Sequence, residues 1–519
     1  MNRDNMLSQL QDKSTTWDFI IIGGGATGVG IAIDAASRGY KVLLLEQHDF
    51  AKGTSSRSTK LVHGGVRYLQ QGNLSLVLEA LRERGLLLKN APHIVSNLPF
   101  IVPNYEWWES PFYGIGLKLY DALAGKLGFG PSKLLSKEKT TELIPTIEQE
   151  GLIGGVIYHD GQFDDARLVI NMAQTAAEQG GTLLNYVKVT AVTKSDGYIN
   201  GVVAYDVEND VEYELKTRAV INATGAFSDA VRRMDDDTAR QMIIPSQGVH
   251  IVLDKSFLPG ETAIMVPHTA DGRVLFAIPW HNRVIVGTTD TPIKEVSLEP
   301  RPMQEELDFL LEHAAKYLTK DPTPADVLSA FAGIRPLVAE GEAANTAAIS
   351  RDHTVHISGS GLITIAGGKW TTYRKMAEDT LDQAIQIARL DYKPSVTYNL
   401  QIHGYHMNTE KFGVLKPYGS DAPAIENLIR EKSEYTQPLH PNLRPLTGEV
   451  IWAVRHEMAC TPEDFLARRT RSLLLDARAS REIVDTVAKL MAKELGRDKK
   501  WIKNGISSYN NLADTYIID

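Results

Sequence analysis

The sequence predicts an α/β protein with a discontinuous parallel-sheet domain, a second domain built on a mixed or antiparallel sheet, and a helical C-terminal domain. Three observations predict it. Residues 18–46 follow the pattern strand, glycine-rich turn, helix, strand, which is a βαβ unit. Further strand-like segments lie far along the chain, at residues 219–229 and 361–380. Beyond about residue 396 the sequence becomes charged and helical, with little glycine.

Each part of the βαβ unit follows from its residues. Asp18 to Ile22 is a β-branched apolar run stopped by glycine, as in a buried strand. Ala26 to Arg38 has small and apolar residues at helical spacing, and Gly39 ends it. Lys41 to Leu45 is a second buried strand. Because a parallel sheet needs cover on both faces, this unit predicts an α/β domain.

The second domain is predicted from residues 248–290, where VHIVL, RVLFAIPW and RVIVGTTD alternate or run apolar between turns. The predicted division assigns residues 1–75, 150–230 and 335–395 to the first domain, 76–149 and 231–334 to the second, and 396–519 to the C-terminal domain.

Composition narrows the class of protein. The chain has 519 residues, 43% hydrophobic and 23% charged, which is the balance of a globular protein and excludes disorder. Its net charge of −9 argues against nucleic acid as the main partner, because phosphate binding leaves a basic footprint. The single cysteine, Cys460, excludes an intrachain disulfide and cysteine-based metal sites, which fits a reducing compartment.

We expect neither a targeting segment nor a membrane span. The polar first 17 residues lack the apolar centre of a signal peptide. The most apolar stretch, residues 19–33, is too short to cross a bilayer and contains five glycines. A peripheral membrane contact stays open.

The glycine pattern Gly23-x-Gly25-x-x-Gly28 predicts a dinucleotide site because of where it stands, between a strand and a helix. Gly23 allows the tight turn, Gly25 lets the backbone approach a pyrophosphate, and Gly28 lets helix and strand pack closely. Glu46, at the end of the next strand, is expected to accept hydrogen bonds from a ribose diol. The pattern alone does not distinguish NAD from FAD.

Longer motifs resemble the FAD-dependent glycerol-3-phosphate dehydrogenases. The polar loop TSSRSTKLVHGGVRYL (residues 54–69) and the turn GGGATGVG carry the resemblance. Later segments match in the same order: FDDARLV, INATGAF, VGTTD, GIRPL and GGKWTTYRKMAE. The resemblance spans about residues 17–390, and the helical tail also fits the family. Two departures, Trp370 where the family often has Leu and the residues around Arg57, fall near the expected flavin.

The resemblance implies a function. The first domain becomes an FAD-binding, Rossmann-type domain, and the second a substrate domain. The family oxidises sn-glycerol 3-phosphate to dihydroxyacetone phosphate, with FAD taking a hydride and a quinone or oxygen reoxidising it. The long insertion of the oxygen-using oxidases is absent, which favours a quinone acceptor. We therefore expect a cytoplasmic protein, peripherally bound to the inner face of the cytoplasmic membrane, and leave a homodimer open.

By resemblance, four residues belong to the substrate pocket: Arg67, Tyr68, Arg335 and Lys369. Arginine and lysine suit a phosphate dianion, and Arg335 and Lys369 are also assigned to catalysis. His250 is expected to bind substrate and to take the C2 hydroxyl proton, since a neutral imidazole can act as a base. His63 is the alternative base, or a contact of the flavin ring.

The remaining family positions are expected cofactor contacts. These are Gly23, Gly25, Thr27, Gly28, Glu46, Thr54, Ser55, Ser56, Lys60, Val62, His63, Val189, Ala223, Thr224, Gly225, Gly333, Gly368, Lys369, Trp370 and Thr371. No metal site is expected, because the close histidine pairs 353/356 and 403/406 lack carboxylates at ligand spacing.

Two segments are candidates for membrane contact. Residues 104–120 include Trp107, Trp108, Phe112 and Tyr113, and aromatic residues favour the bilayer interface. Residues 493–505 include Lys499, Lys500, Trp501 and Lys503, which suit anionic headgroups. Core packing and a solvated helix face are the respective alternatives.

Three other functions are alternatives. An FAD-dependent oxidase of amines or amino acids needs no pocket with several cations for a phosphate, so Arg67 and Lys369 argue against it. A glycerol-3-phosphate oxidase using oxygen stays an alternative. A flavin-binding sensor or scaffold without turnover need not retain the pocket motifs that this chain has.

Overall fold

The computed structural model describes residues 1–65, 73–107, 109–125, 128–267, 273–338 and 352–518. Its strands are β1 (Thr16–Ile22), β2 (Val42–Leu45), β3 (Leu61–Val62), β4 (Ser96–Asn104), β5 (Lys133–Ser136), β6 (Gly154–Gln162), β7 (Thr182–Leu184), β8 (Val187–Ser195), β9 (Tyr198–Asp206), β10 (Val211–Asn222), β11 (Ile243–Asp254), β12 (Ala263–Val266), β13 (Leu275–Trp280), β14 (Arg283–Gly287), β15 (Thr291–Pro292), β16 (Val327–Val338), β17 (His353–Ile357), β18 (Ile363–Gly367), β19 (Pro438–His440) and β20 (Leu443–Leu446).

The α-helices are Arg3–Ser8, Ala26–Ser37, Leu74–Asn90, Glu109–Ala124, Lys137–Leu143, Asp165–Glu178, Ser228–Asp235, Gln304–Ala315, Tyr373–Ile387, Ala422–Glu431, Thr447–His456, Ser472–Leu475, Ala477–Leu495 and Lys499–Asp514. None of these helices is both long and apolar enough to cross a bilayer.

The first sheet has the order β17-β18-β10-β1-β2-β7, and β8 and β9 extend it from β10. β1 pairs in parallel with β2 and β10, and β10 pairs in parallel with β18. Helix Ala26–Ser37 contacts helices Asp165–Glu178 and Tyr373–Ile387 as well as the sheet. The predicted parallel sheet, assembled from distant segments, is confirmed.

The second sheet has the order β15-β11-β14-β13-β12-β4-β6-β3, with β16 paired to β11 and β5 paired to β6. It is antiparallel apart from the parallel pair of β12 and β4, so it is mixed, as predicted. The predicted division placed residues 150–230 in the first domain, but β6 pairs with β4 in this second sheet. The division as a whole stays a prediction.

The C-terminal region is helical and packs on the second sheet. Val252, Trp280, Ile285 and Phe331 of that sheet share one apolar cluster with residues 465–516. The predicted helical C-terminal region is therefore confirmed, and its core is continuous with the second sheet.

A charged contact fastens the start of this region to the first domain. The ring of His403 contacts Glu178 Oε1 through Nδ1 (2.5 Å) and Asp421 Oδ2 through Nε2 (2.8 Å). Burial by itself lowers the pKa of His403, but the hydrogen bonds and charges of both carboxylates outweigh burial and raise that pKa to about 9. The folded protein therefore holds this proton at pH values where the unfolded chain has released it.

Replacing His403 by asparagine is expected to reduce stability at pH 6 and to have little effect at pH 9.5. The raised pKa means that the stabilisation is complete below about pH 6.5 and is lost as pH rises to about 9. Since the Glu178 side chain is 55% exposed, water screens the pair and we expect about 1–2 kcal/mol. Urea unfolding at both pH values measures the difference. His406→Asn is the control, and a loss independent of pH would contradict the assignment.

Candidate active site

The glycine turn joins the end of β1 to the helix that begins at Ala26. Gly23 has a φ of +111°, which favours glycine. A Cβ on Gly28 would lie 1.9 Å from the carbonyl oxygen of Gly23, and one on Gly25 would lie 3.0 Å from Ser55 Oγ. The turn therefore has no room for side chains at Gly28, and it exposes the N-terminus of a helix, where anions bind.

Glu46 closes the turn from the next strand. Its Oε2 accepts a hydrogen bond from the Gly24 N–H (2.7 Å), and its Oε1 accepts one from the His48 N–H (2.8 Å). Burial raises the pKa of Glu46, while these two N–H groups act in the opposite direction. The carboxylate also lines the adjoining cavity, so its expected contact with a ribose stays a prediction.

A cavity of about 430 Å³ lies against this turn. Many of the expected cofactor contacts line it: Gly23, Gly25, Thr27, Glu46, Thr54, Ser55, Val189, Ala223, Thr224, Gly225, Gly368, Lys369 and Trp370. The glycine cradle, the helix N-terminus and the acidic residue at one side fit a dinucleotide. These residues would hold FAD.

Several lining residues escaped the sequence analysis, among them Gln47, Lys52, Lys188, Phe227, Met234, Pro336 and Tyr373. Gln47 follows Glu46 and Lys188 precedes Val189 in the sequence. Their position next to expected cofactor contacts was the signal that could have indicated them. Lys52 pairs with Glu299 (3.0 Å) and Glu463, partners that sequence spacing could not indicate.

The polar loop is held along one wall of the cavity. The Ala26 N–H donates to Ser55 Oγ (2.9 Å), and Trp370 Nε1 donates to the Ser55 carbonyl (3.1 Å). Thr54 Oγ1 donates to the carbonyl of Ile334 (2.7 Å). The loop therefore connects the helix Ala26–Ser37, Trp370 and β16.

Some expected cofactor contacts lie outside the cavity lining: Gly28, Ser56, Lys60, Val62, His63, Gly333 and Thr371. Lys60 is fully buried beneath the loop, where its Nζ donates to the Ser56 carbonyl (2.8 Å) and to Asp165 Oδ2 (2.7 Å). Burial lowers the pKa of Lys60 to about 8 against the effect of Asp165. A Cβ on Gly333 would lie 2.8 Å from the Arg57 carbonyl, so this glycine makes room for the loop.

His250, on β11, lies behind the polar loop. Its Nε2 is 3.0 Å from Thr59 Oγ1, and its ring stacks on Phe331 with centroids 4.8 Å apart. Burial, with the charges of Lys60 and Arg335, lowers the pKa of His250 well below its ordinary value. The imidazole is therefore neutral at neutral pH, the form in which one ring nitrogen carries no proton.

Arg335 lies on β16, which pairs with the strand of His250, and its charge acts on that imidazole. Its guanidinium donates to the carbonyls of Gln247 (3.3 Å) and Thr289 (3.0 Å), and to Thr288 Oγ1 (3.2 Å). It also pairs with Asp290 at 3.3 Å. The side chain is 27% exposed, so a cation is fixed in place with part of its surface accessible.

His63 and Lys369 lie at the other side of the loop. The His63 N–H donates to Thr371 Oγ1 (3.2 Å), and Lys369 precedes the short helical turn Trp370–Thr372. Burial lowers the pKa of His63, and Lys369 is one of the cations that lower it further. Both candidate bases are thus neutral. Arg67 and Tyr68 lie outside the described residues.

Metal ligands are not clustered in the part of the chain that the structure describes: no group of three His, Cys, Asp or Glu residues there could hold an ion.

Two known families match residues 18–501 of the chain between them. The family described as FAD dependent oxidoreductase matches residues 18–374, and the C-terminal domain of alpha-glycerophosphate oxidase matches residues 360–501. The mitochondrial glycerol-3-phosphate dehydrogenase of Homo sapiens is 40% identical over 532 aligned positions, covering 96% of this chain and 73% of the relative. That of Schizosaccharomyces pombe is 38% identical, covering 96% and 87%.

Solved structures agree with the fold. The glycerol-3-phosphate dehydrogenase from Bacillus halodurans, complexed with FAD, superposes with a TM-score of 0.81 at 31% identity, covering 99% of this chain and 98% of that one. The L-proline dehydrogenase from P. horikoshii has a TM-score of 0.55 at 19% identity and covers 74% of this chain and 97% of its own. The second likeness concerns the fold alone.

Proposed function

Since the chain belongs to the FAD-dependent glycerol-3-phosphate dehydrogenases, we propose that it oxidises sn-glycerol 3-phosphate to dihydroxyacetone phosphate and passes the electrons to a quinone at a membrane surface. The observation that carries this proposal is a neutral, buried imidazole, His250, whose pKa is lowered by burial and by the charge of the fixed cation Arg335 and whose Nε2 lies 3.0 Å from Thr59 of the loop that lines the cofactor cavity. An oxidase of amines or amino acids needs no pocket with several cations, so the presence of Arg335 in addition to Lys369 argues against that function.

Oxidation of C2 from alcohol to ketone removes a hydride from carbon and a proton from the hydroxyl. FAD, when bound, accepts the hydride. His250 takes the hydroxyl proton, since its neutral imidazole has an unprotonated ring nitrogen. Arg335 and Lys369 bind the phosphate or the C2 oxygen, together with Arg67 and Tyr68.

The N-terminus of the helix at Ala26 and the glycine turn would hold the pyrophosphate of FAD, and Glu46 would accept hydrogen bonds from its ribose. Lys369 and Trp370 also line the cavity, and Lys369 directly precedes the short helical turn Trp370–Thr372. The Lys369 cation and the N-terminus of this turn would stabilise negative charge on the flavin when FAD is bound and reduced.

The helix Glu109–Ala124 supports membrane contact. Trp107, Phe112, Ile115 and Leu119 are 78%, 53%, 72% and 48% exposed, an unusual set of large apolar side chains to leave in water. Positions 112, 115 and 119 recur at helical spacing, so they share one face. We call Phe112, Ile115 and Leu119 the apolar helix face, and Trp107 lies just before the helix begins. Amphipathic helices with aromatic and aliphatic residues lie in the bilayer interface.

The other residues considered for membrane contact support it less. Tyr113 is 7% exposed and packs in the core, and Trp108 lies outside the described residues. Trp501 packs against the apolar cluster of the C-terminal region. The apolar helix face is therefore the surface that we propose to rest on the cytoplasmic face of the membrane.

Replacing Phe112, Ile115 and Leu119 together by serine is expected to weaken binding to phospholipid vesicles at least tenfold. Each substitution removes an apolar side chain that the interface would bury, worth roughly 1 kcal/mol or more. Vesicle co-sedimentation measures the binding. Met407→Ser, at a side chain that is 74% exposed elsewhere, is the control. Equal binding by the triple variant and the wild type would show that this face does not contact the membrane.

The acceptor is tested by turnover with glycerol 3-phosphate in air. With a quinone in vesicles, the proposal predicts quinol formation and little hydrogen peroxide. If peroxide forms in a one-to-one ratio with dihydroxyacetone phosphate and the quinone is ignored, the enzyme is an oxygen-using oxidase and the quinone proposal fails.

A further inference from the structure

Three buried arginines project from one turn of the C-terminal region toward the loops at the cofactor cavity. Arg468 and Arg469 end the π-helical segment Asp464–Arg469, and Arg471 follows it; we call these three residues the arginine turn. Arg468 Nε donates to Asp49 Oδ2 (2.5 Å), and Arg469 donates to both carboxylate oxygens of Asp49 (2.6 and 2.9 Å). Asp49 stands in the loop that follows β2, so the arginine turn braces one wall of the cavity.

Arg471 reaches beneath the cofactor loop, which we define as residues 54–62. Its Nη2 donates to the carbonyl of Ser56 (2.6 Å) and to Asp165 Oδ1 (3.0 Å), and its Nη1 donates to the carbonyl of Ala467 (2.8 Å). The residue is 1% exposed. One guanidinium thus joins the C-terminal region, the cofactor loop and the helix Asp165–Glu178.

Asp165 grips the same loop through its second oxygen. Asp165 Oδ2 accepts hydrogen bonds from the Ser58 N–H (3.1 Å), the Ser58 hydroxyl (2.7 Å) and Lys60 Nζ (2.7 Å). Lys60 Nζ also donates to the Ser56 carbonyl, at 2.8 Å. The Ser56 carbonyl therefore accepts from two buried cations, Lys60 and Arg471, and both cations share one carboxylate.

The two ends of this loop reach the two halves of the active site. Ser55 lines the cofactor cavity, and its Oγ accepts a hydrogen bond from the Ala26 N–H at the start of the helix Ala26–Ser37. Thr59 Oγ1 lies 3.0 Å from His250 Nε2. Ser56 lies between Ser55 and Thr59 along the chain. By holding the Ser56 carbonyl, Arg471 therefore fixes the position of the loop for both contacts, that of Ser55 with Ala26 and that of Thr59 with His250.

We propose that Arg471 is a positioning residue that holds the cofactor loop in the shape that receives FAD and keeps Thr59 against His250. Arg471 is not among the residues that line the cavity, and it acts on His250 through Thr59. This inference rests on the proposed function, because FAD and glycerol 3-phosphate are its probes.

The guanidinium is suited to this task by its shape. It presents donors in a fixed planar fork, and the three acceptors of Arg471 lie on three different segments. Lysine would keep the charge but could not keep all three directions. Charge alone is therefore not expected to rescue the loop.

The test compares the variants Arg471→Met and Arg471→Lys with Arg478→Met. Arg478 also donates to two carbonyls, those of Val327 and Ile518, but it is exposed and remote from the cofactor loop. For both Arg471 variants we expect apoprotein to bind FAD at least tenfold more weakly, and amide hydrogens of residues 54–62 to exchange at least tenfold faster.

In FAD-saturated enzyme, we expect flavin reduction to slow at least tenfold, the Kd for glycerol 3-phosphate to stay within threefold, and the visible flavin bands to shift.

The proposal is overturned if both Arg471 variants match Arg478→Met in FAD affinity and loop exchange. It is also overturned if Arg471→Lys restores all properties. Should Arg471→Met fail to fold, Ser58→Ala removes the opposite grip on Asp165, and its effect must be non-additive with that of Arg471→Lys. Should wild-type enzyme not be reduced by glycerol 3-phosphate, the proposed function fails, while FAD affinity and loop exchange still decide the role of Arg471.

Discussion

Replacing His250 by asparagine is expected to slow the reduction of FAD by glycerol 3-phosphate by about 10²–10⁴-fold, the usual contribution of a general base. Asparagine fills similar space and keeps a polar contact for Thr59, but it cannot accept the C2 hydroxyl proton. The neutral, buried imidazole beside Arg335 is the base that the structure offers at this point. Stopped-flow measurement of flavin absorbance under anaerobic conditions gives the rate constant.

His63→Asn is the matched control, since His63 is also neutral and adjoins the polar loop. We expect His63→Asn to reduce the rate by no more than tenfold. The reverse order, with the larger loss in His63→Asn, would transfer the role of base to His63. A near-normal rate in His250→Asn would remove His250 from that role.

Replacing Gly28 by valine is expected to abolish the retention of FAD during purification. A Cβ at this position would lie 1.9 Å from the Gly23 carbonyl, a distance that no relaxation of side chains relieves. The turn and the helix N-terminus must then separate, which removes the groups that would bind the pyrophosphate. We expect an affinity loss of at least 100-fold, measured by titrating apoprotein with FAD.

Gly359→Ala is the control for this change, because a Cβ there would meet no atom within 4 Å. Thermal unfolding of both apoproteins separates loss of the cofactor from loss of the fold. Normal FAD content in Gly28→Val would contradict the role of the glycine turn.

The sequence pattern predicted the βαβ unit, because burial, glycine and helical spacing are local properties of adjacent residues. The structure has a strand at Thr16–Ile22 and a helix at Ala26–Ser37, close to the predicted bounds. The pattern could not place β6, since an apolar strand is compatible with either sheet. Its partner, β4, lies far from the glycine turn along the chain.

In the candidate site, too, features that depend on adjacent residues could be predicted, and contacts between residues far apart in the chain could not. Glu46 was expected at the cofactor because it follows the end of a strand, and Val189 because of the family resemblance, and both line the cavity. Lys60 was expected beside the cofactor, yet it lies beneath the loop, paired with Asp165. Arg471 was not singled out at all: its partners lie about 300 to 400 residues away, and no spacing rule connects such distant residues.

The apolar helix face illustrates a further limit. A run with many aromatic residues predicted either core packing or membrane contact, and the structure divides the run between them. Tyr113 is buried, while Phe112 and Ile115 point outward. Neighbouring residues on a helix face different directions, so the sequence could not assign one fate to the whole segment.

The measurement that tests the proposed function most directly is an anaerobic titration of the purified, FAD-loaded protein with glycerol 3-phosphate. We predict that the oxidised-flavin absorbance bleaches without any added acceptor and that dihydroxyacetone phosphate forms in an amount equal to the flavin reduced. An oxidised-flavin spectrum that persists with glycerol 3-phosphate but bleaches with an amine or amino acid would contradict the assignment of the substrate.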